Sequence, residues 1–314
     1  MSVKVFIDGK EGTTGLQIYE RFAKRSDIEI LLIDEDKRKD VNERKRLINE
    51  SDITFLCLPD AAAIEAAALA EDPKVRIIDA STAHRVDPAW DYGFPELSPE
   101  HRARIAFSKR VANPGCYASG FISIVYPLVK AGVLPEDYPL TAHAVSGYSG
   151  GGKKMIAAVE GPDKTEEMYS PRQYALTQAH KHLPEMQKIC GLKYKPMFNP
   201  IVDDYYAGMV VSVPLITRAL AKSFTPADIH EILAKHYDGQ RFVKVMELGG
   251  KETLPDGFLA ANTLAGTNDM QLFVFGNDEQ ILVCSRLDNL GKGASGAAIQ
   301  NMNIMLGMDE GTGL

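Results

Sequence analysis

The segment that most restricts how this chain can fold is Gly9-Lys10-Glu11-Gly12-Thr13-Thr14-Gly15. It joins an apolar run with β-branched members, Val3 to Asp8, to a stretch from Thr14 to Lys24 whose apolar residues Leu16, Tyr19, Phe22 and Ala23 fall at helical spacing. A second apolar run, Ile28 to Ile33, follows, so the order reads strand, helix, strand. Glycines at 9, 12 and 15 permit a tight turn and close approach of a pyrophosphate to the N–H groups of a helix's first turn. Gly9, Gly12, Thr13, Thr14 and Gly15 are therefore expected to bind a dinucleotide. Structural turns use the same residues. The strand-to-helix setting, with the second strand ending at Asp34 nineteen residues after Gly15, favours the cofactor.

Two further apolar runs, Asp52 to Leu58 and Lys74 to Asp79, flank an Ala-rich helical stretch from Ala61 to Ala70. This alternation predicts a parallel sheet with helices on its faces, an α/β domain of the Rossmann type. Asp34, Glu35 and Asp36 could bond a ribose 2′-hydroxyl, as in NAD enzymes, whereas Lys37 and Arg38 could neutralise the 2′-phosphate of NADP; the residues leave both open. Leu58 and Pro59 end the next strand with Asp60 and are expected to form another wall of the cofactor cleft, although Pro59 also serves as a strand terminator. The basic run Lys37 to Lys39 and Arg44 to Arg46 reads equally as a solvated helix face or loop.

From about residue 140 the pattern changes. Strands are expected at Leu140 to Val145, Gly208 to Leu215, Phe242 to Met246, Met270 to Phe275 and Gln280 to Cys284, with few helices between the last three. This predicts an α+β domain on a mostly antiparallel sheet. Thr225 followed by Pro226 predicts a capped helix to about His236. Ala298, Met302 and Met305 predict a final helix within Ala294 to Leu306, packed on one of the domains.

The 314 residues, 45% of them hydrophobic, suffice for more than one core. A formal net charge of -7 argues against a polyanion-binding surface, so no nucleic-acid partner is expected. Residues 1 to 30 open on a strand-like VKVFID, and no apolar run approaches the roughly 20 residues of a membrane span. Cys57, Cys116, Cys190 and Cys284 lie far apart with no CxxC pair. A cytoplasmic protein with reduced thiols and a small-molecule substrate is expected.

One cysteine differs from the rest. Asn113-Pro114-Gly115-Cys116-Tyr117-Ala118-Ser119-Gly120 follows a strand-like stretch and precedes helically spaced Phe121, Ile124, Val125 and Leu128. Cys116 is thus expected at a helix N-terminus, where exposed N–H groups and the helix dipole stabilise a thiolate and supply oxyanion donors. Pro127 inside that helix predicts a kink. Cys57, Cys190 and Cys284 are read as structural. His180-Lys181-His182-Leu183-Pro184-Glu185 places two imidazoles just before a helix expected to start at Pro184. Either imidazole could be the acid and base a cysteine enzyme needs, and in an extended segment both share one side, with Glu185 folding back to orient a ring. The same three residues also suit a metal site; no metal is expected, because no further ligand lies at suitable spacing.

In order, GKEGTTG, DASTAHR, NPGCYASG, SGYSGGGK, HKHLPEM and DNLGKGASGAAIQNMN resemble the N-acetyl-γ-glutamyl-phosphate reductase family in its shorter class, over nearly the whole chain. The resemblance implies reduction of N-acetylglutamyl 5-phosphate by NADPH to the 5-semialdehyde with release of phosphate, in arginine biosynthesis, through a Cys116 thioester. It implies His182 as the proton relay, with His180 second, and Arg85 as an anchor for the substrate's anionic groups, the alternative being a surface ion pair. Ser81 and Asn113, in the same motifs, join the substrate-binding set. So do Ser149, Gly150 and Lys153 or Lys154, on a flexible strip formed by Gly147 and Gly150 to Gly152. Asn289 is placed near the nicotinamide carboxamide. The last helix then returns to the cofactor domain, giving an NADP-binding domain of 1–115 plus 290–314 and a catalytic and oligomerisation domain of 116–289. The family resemblance also implies a homo-oligomer, tetramer or dimer. Between the second strand and Asp52 the chain is short and highly charged, a departure that trims the adenosine end of the cofactor domain. Aspartate-semialdehyde dehydrogenase is the rival enzyme, and an NADP-binding sensor with a redox-sensitive Cys116 is the rival of a different class.

Overall fold

The structure, a computed structural model, describes residues 2–254 and 256–314. The chain divides into two compact units, Met1–Gly115 with Ala294–Leu314, and Cys116–Gly293.

In the first unit β1 (Val3–Asp8), α1 (Thr13–Phe22), β2 (Ile28–Leu31), α2 (Val41–Glu50), β3 (Ile53–Leu56), α3 (Asp60–Ala68) and β4 (Arg76–Asp79) alternate. The short strands β5 (Asp91–Tyr92) and β6 (Arg110–Ala112) and helix α4 (Pro99–Phe107) complete it. The strand order is β2-β1-β3-β4-β6-β5 with every pairing parallel, a Rossmann-like sheet. Successive side chains point to opposite faces. Val5, Ile7, Phe55 and Ile78 therefore meet Ile18 and Phe22 of α1 and the last helix, Gly296–Met305, on one side. Phe6, Leu56 and Ile77 meet Leu47, Ile48, Ala63 and Ala66 on the other.

The last helix is buried all round, and its polar residues are bonded accordingly. Gln300 Nε2 donates to Glu96 at 2.8 Å and Asn301 Nδ2 to the Gly93 carbonyl at 2.9 Å. The basic run resolves into α2 and its approach, with each of its last three cations paired. Arg44 Nε and Nη2 bond the buried Asp8 carboxylate at 3.0 and 2.9 Å, Lys45 pairs with Glu71, and Arg46 with Glu43 and Glu50. Burial raises the Asp8 carboxyl, and Arg44 opposes that rise.

The second unit comprises α5 (Cys116–Lys130), β7 (Thr141–Gly147), α6 (Gly152–Glu160), β8 (Arg172–Gln173), α7 (Leu183–Cys190), β9 (Met197–Asp203), β10 (Met209–Ile216), α8 (Pro226–His236), β11 (Val243–Val245), β12 (Met270–Gly276) and β13 (Gln280–Leu287). Its sheet runs β11-β12-β13-β10-β7-β9-β8. The expected mostly antiparallel sheet is instead mixed, because β11 pairs with β12 and β7 with β9 in parallel. The expected helix after Thr225 is present with a full capping box, Thr225 and Asp228 satisfying each other's N–H groups.

Helix α5 continues through Pro127 to Lys130. Proline cannot donate to the carbonyl four residues back. The Tyr237 hydroxyl replaces it, donating to the Ser123 carbonyl at 2.7 Å. Among the described residues no helix is long and apolar enough to cross a membrane.

Candidate active site

Cys116 is the first residue of α5, where backbone N–H groups lack helical acceptors. A Cβ on Gly293 would lie 2.7 Å from the Cys116 Cβ and 3.0 Å from the Asp288 carbonyl. Only glycine lets the 291–295 segment come this close. The other thiols sit differently. Burial, with Asp79 and Asp8 nearby, pushes Cys57 up; burial alone raises Cys190 well up, and Cys284 goes to about 11 despite a Ser212 hydrogen bond. Cys190 and Cys284 are buried, as inert thiols are, whereas Cys57 is half-buried and kept protonated by its surroundings.

Both histidines gather beside Cys116 through its neighbour Tyr117. The His180 and His182 rings meet edge-on with centroids 4.7 Å apart, and each lies 6.0 Å from the Tyr117 ring. The segment is a turn and not extended: the Leu183 N–H donates to the His180 carbonyl at 3.1 Å, and α7 starts at Leu183, one residue before the expected Pro184. The His182 N–H donates to His180 Nδ1 at 3.1 Å, which puts the proton of neutral His180 on Nε2. His182 is buried, and Glu185 is buried in the first turn of α7. These three residues do not form a group able to hold a metal ion.

Two phenols to which the sequence assigned no role, Tyr117 and Tyr174, complete this half. Burial, Tyr174 and the Cys116 charge raise the Tyr117 hydroxyl well above the usual range. Burial pushes Tyr174 up to about 12, its bond to Tyr117 opposing and Cys116 adding. Both stay protonated near neutral pH, bonded to each other and within electrostatic reach of Cys116.

The strip around Ser149 is a fixed turn rather than a flexible one. Gly147, Tyr148 and Ser149 N–H groups donate to the Gly208, Tyr205 and Tyr206 carbonyls at 3.0, 2.9 and 3.0 Å. A Cβ on Gly147 would lie 2.6 Å from two of those carbonyl oxygens. Asn289 Nδ2 donates to Ser149 Oγ at 2.9 Å and its Oδ1 accepts from the Gly208 N–H at 2.8 Å. Gly150 lies against Asn289, and Lys153 is exposed in the first turn of α6.

In the first unit the glycine loop has the form a phosphate requires. Gly9 has φ +86°, and a Cβ there would lie 2.4 Å from the Cys57 carbonyl and 3.0 Å from Leu58; on Gly15 it would lie 2.6 Å from the Gly9 carbonyl. Thr13 Oγ1, at the start of α1, is buried with no hydrogen-bond partner, and Thr14 follows it in the first turn. An open cradle with an orphaned hydroxyl at a helix N-terminus fits a dinucleotide phosphate. Pro59 caps α3 after Leu58. Asp34 is exposed and pairs with Lys37 at 3.3 Å; Arg38 pairs with Glu35 at 3.2 Å.

Ser81 and Arg85 belong to a turn held by Asp79. Ser81 N–H and Oγ–H donate to the two Asp79 oxygens at 2.9 and 2.7 Å, and His84 Nδ1 lies 2.6 Å from the second. Trp90 stacks on His84 with centroids 4.0 Å apart. Arg85, also buried, donates from Nε to the Asn113 carbonyl at 2.9 Å and from Nη2 to the Ala80 carbonyl at 3.0 Å. Asn113 Nδ2 donates to the Ala294 carbonyl at 2.9 Å. Arg85 is thus not at the surface.

Two family models match the chain: semialdehyde dehydrogenase, NAD binding domain, over residues 4–105, and semialdehyde dehydrogenase, dimerisation domain, over 116–289. A Nostoc sp. protein named N-acetyl-gamma-glutamyl-phosphate reductase 2 is 48% identical over 318 residues, 99% of each chain. The chain belongs to the N-acetyl-gamma-glutamyl-phosphate reductase family. A Pseudomonas putida relative of the same name is 49% identical over 307 residues, 96% of each chain, and one from Sinorhizobium medicae 48% over 310.

Solved structures add the fold. Aspartate semialdehyde dehydrogenase II from Vibrio cholerae superposes with a TM-score of 0.73 at 18% identity, covering 98% of this chain and 99% of that one. Aspartate semialdehyde dehydrogenase with NADP from Candida albicans gives 0.65 at 14%. The semialdehyde dehydrogenase NAD binding model takes in the glycine loop and Arg85. The dimerisation model begins at Cys116, ends at Asn289 and encloses both histidines, Tyr117, Tyr174 and Ser149.

Proposed function

We propose that the chain reduces N-acetyl-L-glutamyl 5-phosphate to N-acetyl-L-glutamate 5-semialdehyde and phosphate, in arginine biosynthesis, with the acyl group carried on Cys116. The observation that carries this reading is Cys116 at the N-terminus of α5 with two imidazoles packed on the adjacent Tyr117. The Cys116 thiolate attacks the acyl carbon, and the C–O bond to phosphate breaks as the C–S bond forms. His182 takes the thiol proton and returns it to the departing phosphate. His180 is the weaker candidate, since protonating its Nδ1 would break the bond from the His182 N–H. Helix N–H groups and the Tyr117 and Tyr174 phenols stabilise charge on the acyl oxygen. NADPH, when bound, supplies the hydride. Cys116 leaves as thiolate when the aldehyde departs.

In this reading the first unit is the NADP-binding domain. Gly9, Gly12, Thr13, Thr14 and Gly15 take the pyrophosphate, and Leu58 and Pro59 form a wall. Lys37 and Arg38 exchange exposed, weak ion pairs for the 2′-phosphate, with Asp34 beside them. The phosphate of the substrate falls to Arg85, braced with Ser81 and Asn113, and to the Ser149, Gly150 and Lys153 turn. Asn289, assigned to the nicotinamide by resemblance, holds that turn in place through Ser149. The second unit is the catalytic domain and assembles the chain into a dimer or tetramer. None of the four cysteines is in a disulfide, which suits the cytoplasm.

The test is the reverse reaction, with purified protein, N-acetylglutamate semialdehyde, phosphate and NADP, followed by cofactor absorbance. Reduction of NADP with the acetylated aldehyde and not with aspartate semialdehyde is expected. Turnover of aspartate semialdehyde alone would overturn the substrate, and no turnover of either would overturn the reaction.

A further inference from the structure

Arg172 lies on the edge strand β8 and forms no ion pair among the described residues. Its Nε is buried without a hydrogen-bond partner, and its charge is a minor influence on the exposed Glu167. A partly buried guanidinium with unmet donors is costly, and in native proteins it calls for an explanation.

Its place on the sheet supplies one. Arg172 lies opposite Val202 of β9, and Val202 lies opposite Ser146 of β7. Residues directly opposite share a face. Phe198, Pro200 and Val202 alternate onto the buried face of β9, where Phe198 packs on Tyr117 and His180 at 5.2 and 5.0 Å. Ser146 bonds the Tyr117 phenol. Arg172 therefore stands on the face that carries the Cys116 cluster, two residues before Tyr174. In extended chain the two lie about 7 Å apart along the strand.

We propose that Arg172 binds the substrate's free α-carboxylate as a two-pronged clamp and so selects acidic N-acylated substrates; this rests on the reaction proposed above. The leaving phosphate is attached to the carbon that Cys116 attacks, so its ligands must lie close to the sulfur. The carboxylate sits at the far end of the glutamyl chain, roughly 5 Å away, which suits a cation set out beyond Tyr174. A planar fork matches a carboxylate through two parallel hydrogen bonds.

The test uses reverse-direction kinetics with semialdehyde and phosphate varied separately, comparing wild type with Arg172→Met. The second aldehyde is 4-acetamidobutanal, which lacks the carboxylate. In the variant the KM for N-acetylglutamate semialdehyde should rise about 10- to 100-fold. The KM for phosphate and the rate of Cys116 alkylation by neutral iodoacetamide should not change, and the preference for the acidic aldehyde should collapse. A rise in phosphate KM instead, or an undiminished preference, would overturn the assignment. If Arg172→Met does not fold, Arg172→Lys keeps the charge without the fork and should give an intermediate KM; an unchanged one overturns the clamp. Wild type that turns over neither aldehyde sinks the reaction itself, which is a different failure.

Discussion

Four thiols share this chain, and their surroundings separate them. A raised pKa makes thiolate scarce, so at pH 7.5 a thiol at about 11, as for Cys284, is ionised in about one molecule in 3,000. Limited iodoacetamide treatment at pH 7.5 is expected to label Cys116 alone by peptide mass spectrometry. Labelling of Cys284 should grow only as pH climbs towards 11, while Cys57 and Cys190 stay protected. Early labelling of any of these three would contradict the assignment. Cys116 was legible because its flanks spell a strand, a turn and a helix. Tyr174, Arg172 and Gly293 were not, since each reaches the Cys116 cluster by sheet register or close backbone approach rather than by local pattern.

At the scale of elements, periodicity located the parallel strands of the first unit and missed the order within the second. β9 escaped because Pro200 interrupts MFNPIVD, and proline argues against a central strand. Parallel pairing of β11 with β12 escaped because the chain between them carries no helix among the described residues to announce a crossover. Pro127, where a kink is expected, leaves the Ser123 carbonyl without a helical donor, and the far-off Tyr237 supplies one. Tyr237→Phe strands the Ser123 carbonyl and should cost about 1–3 kcal/mol in urea denaturation. Pro127→Ala restores a helical N–H to that carbonyl, so in the Tyr237→Phe background it should recover part of the loss. Strictly additive effects in the double-mutant cycle would show that the hydroxyl does not substitute for the proline.

For the molecule as a whole, the six motifs in order gave the family, and physical patterning gave two units. Patterning could not give assembly, because a surface shows its partner only after folding. The face of the second sheet opposite α5 carries Val145, Val210, Leu282 and Phe275 around a cavity of about 630 Å³. Leu282 is 38% exposed on a strand with neighbours on both sides, apolar surface of the kind that marks an interface. Leu282→Arg is expected to lower the oligomeric order in sedimentation velocity, and an unchanged sedimentation coefficient would place the interface elsewhere. The reaction proposed for this protein depends on Cys116 carrying the acyl group. The most direct measurement is intact mass after mixing the protein with N-acetylglutamyl phosphate in the absence of NADPH and quenching in acid. A hydroxylamine-sensitive gain of one N-acetylglutamyl group, lost in Cys116→Ala, is predicted; an active protein in which Cys116→Ala keeps the adduct, or still turns over, would contradict it.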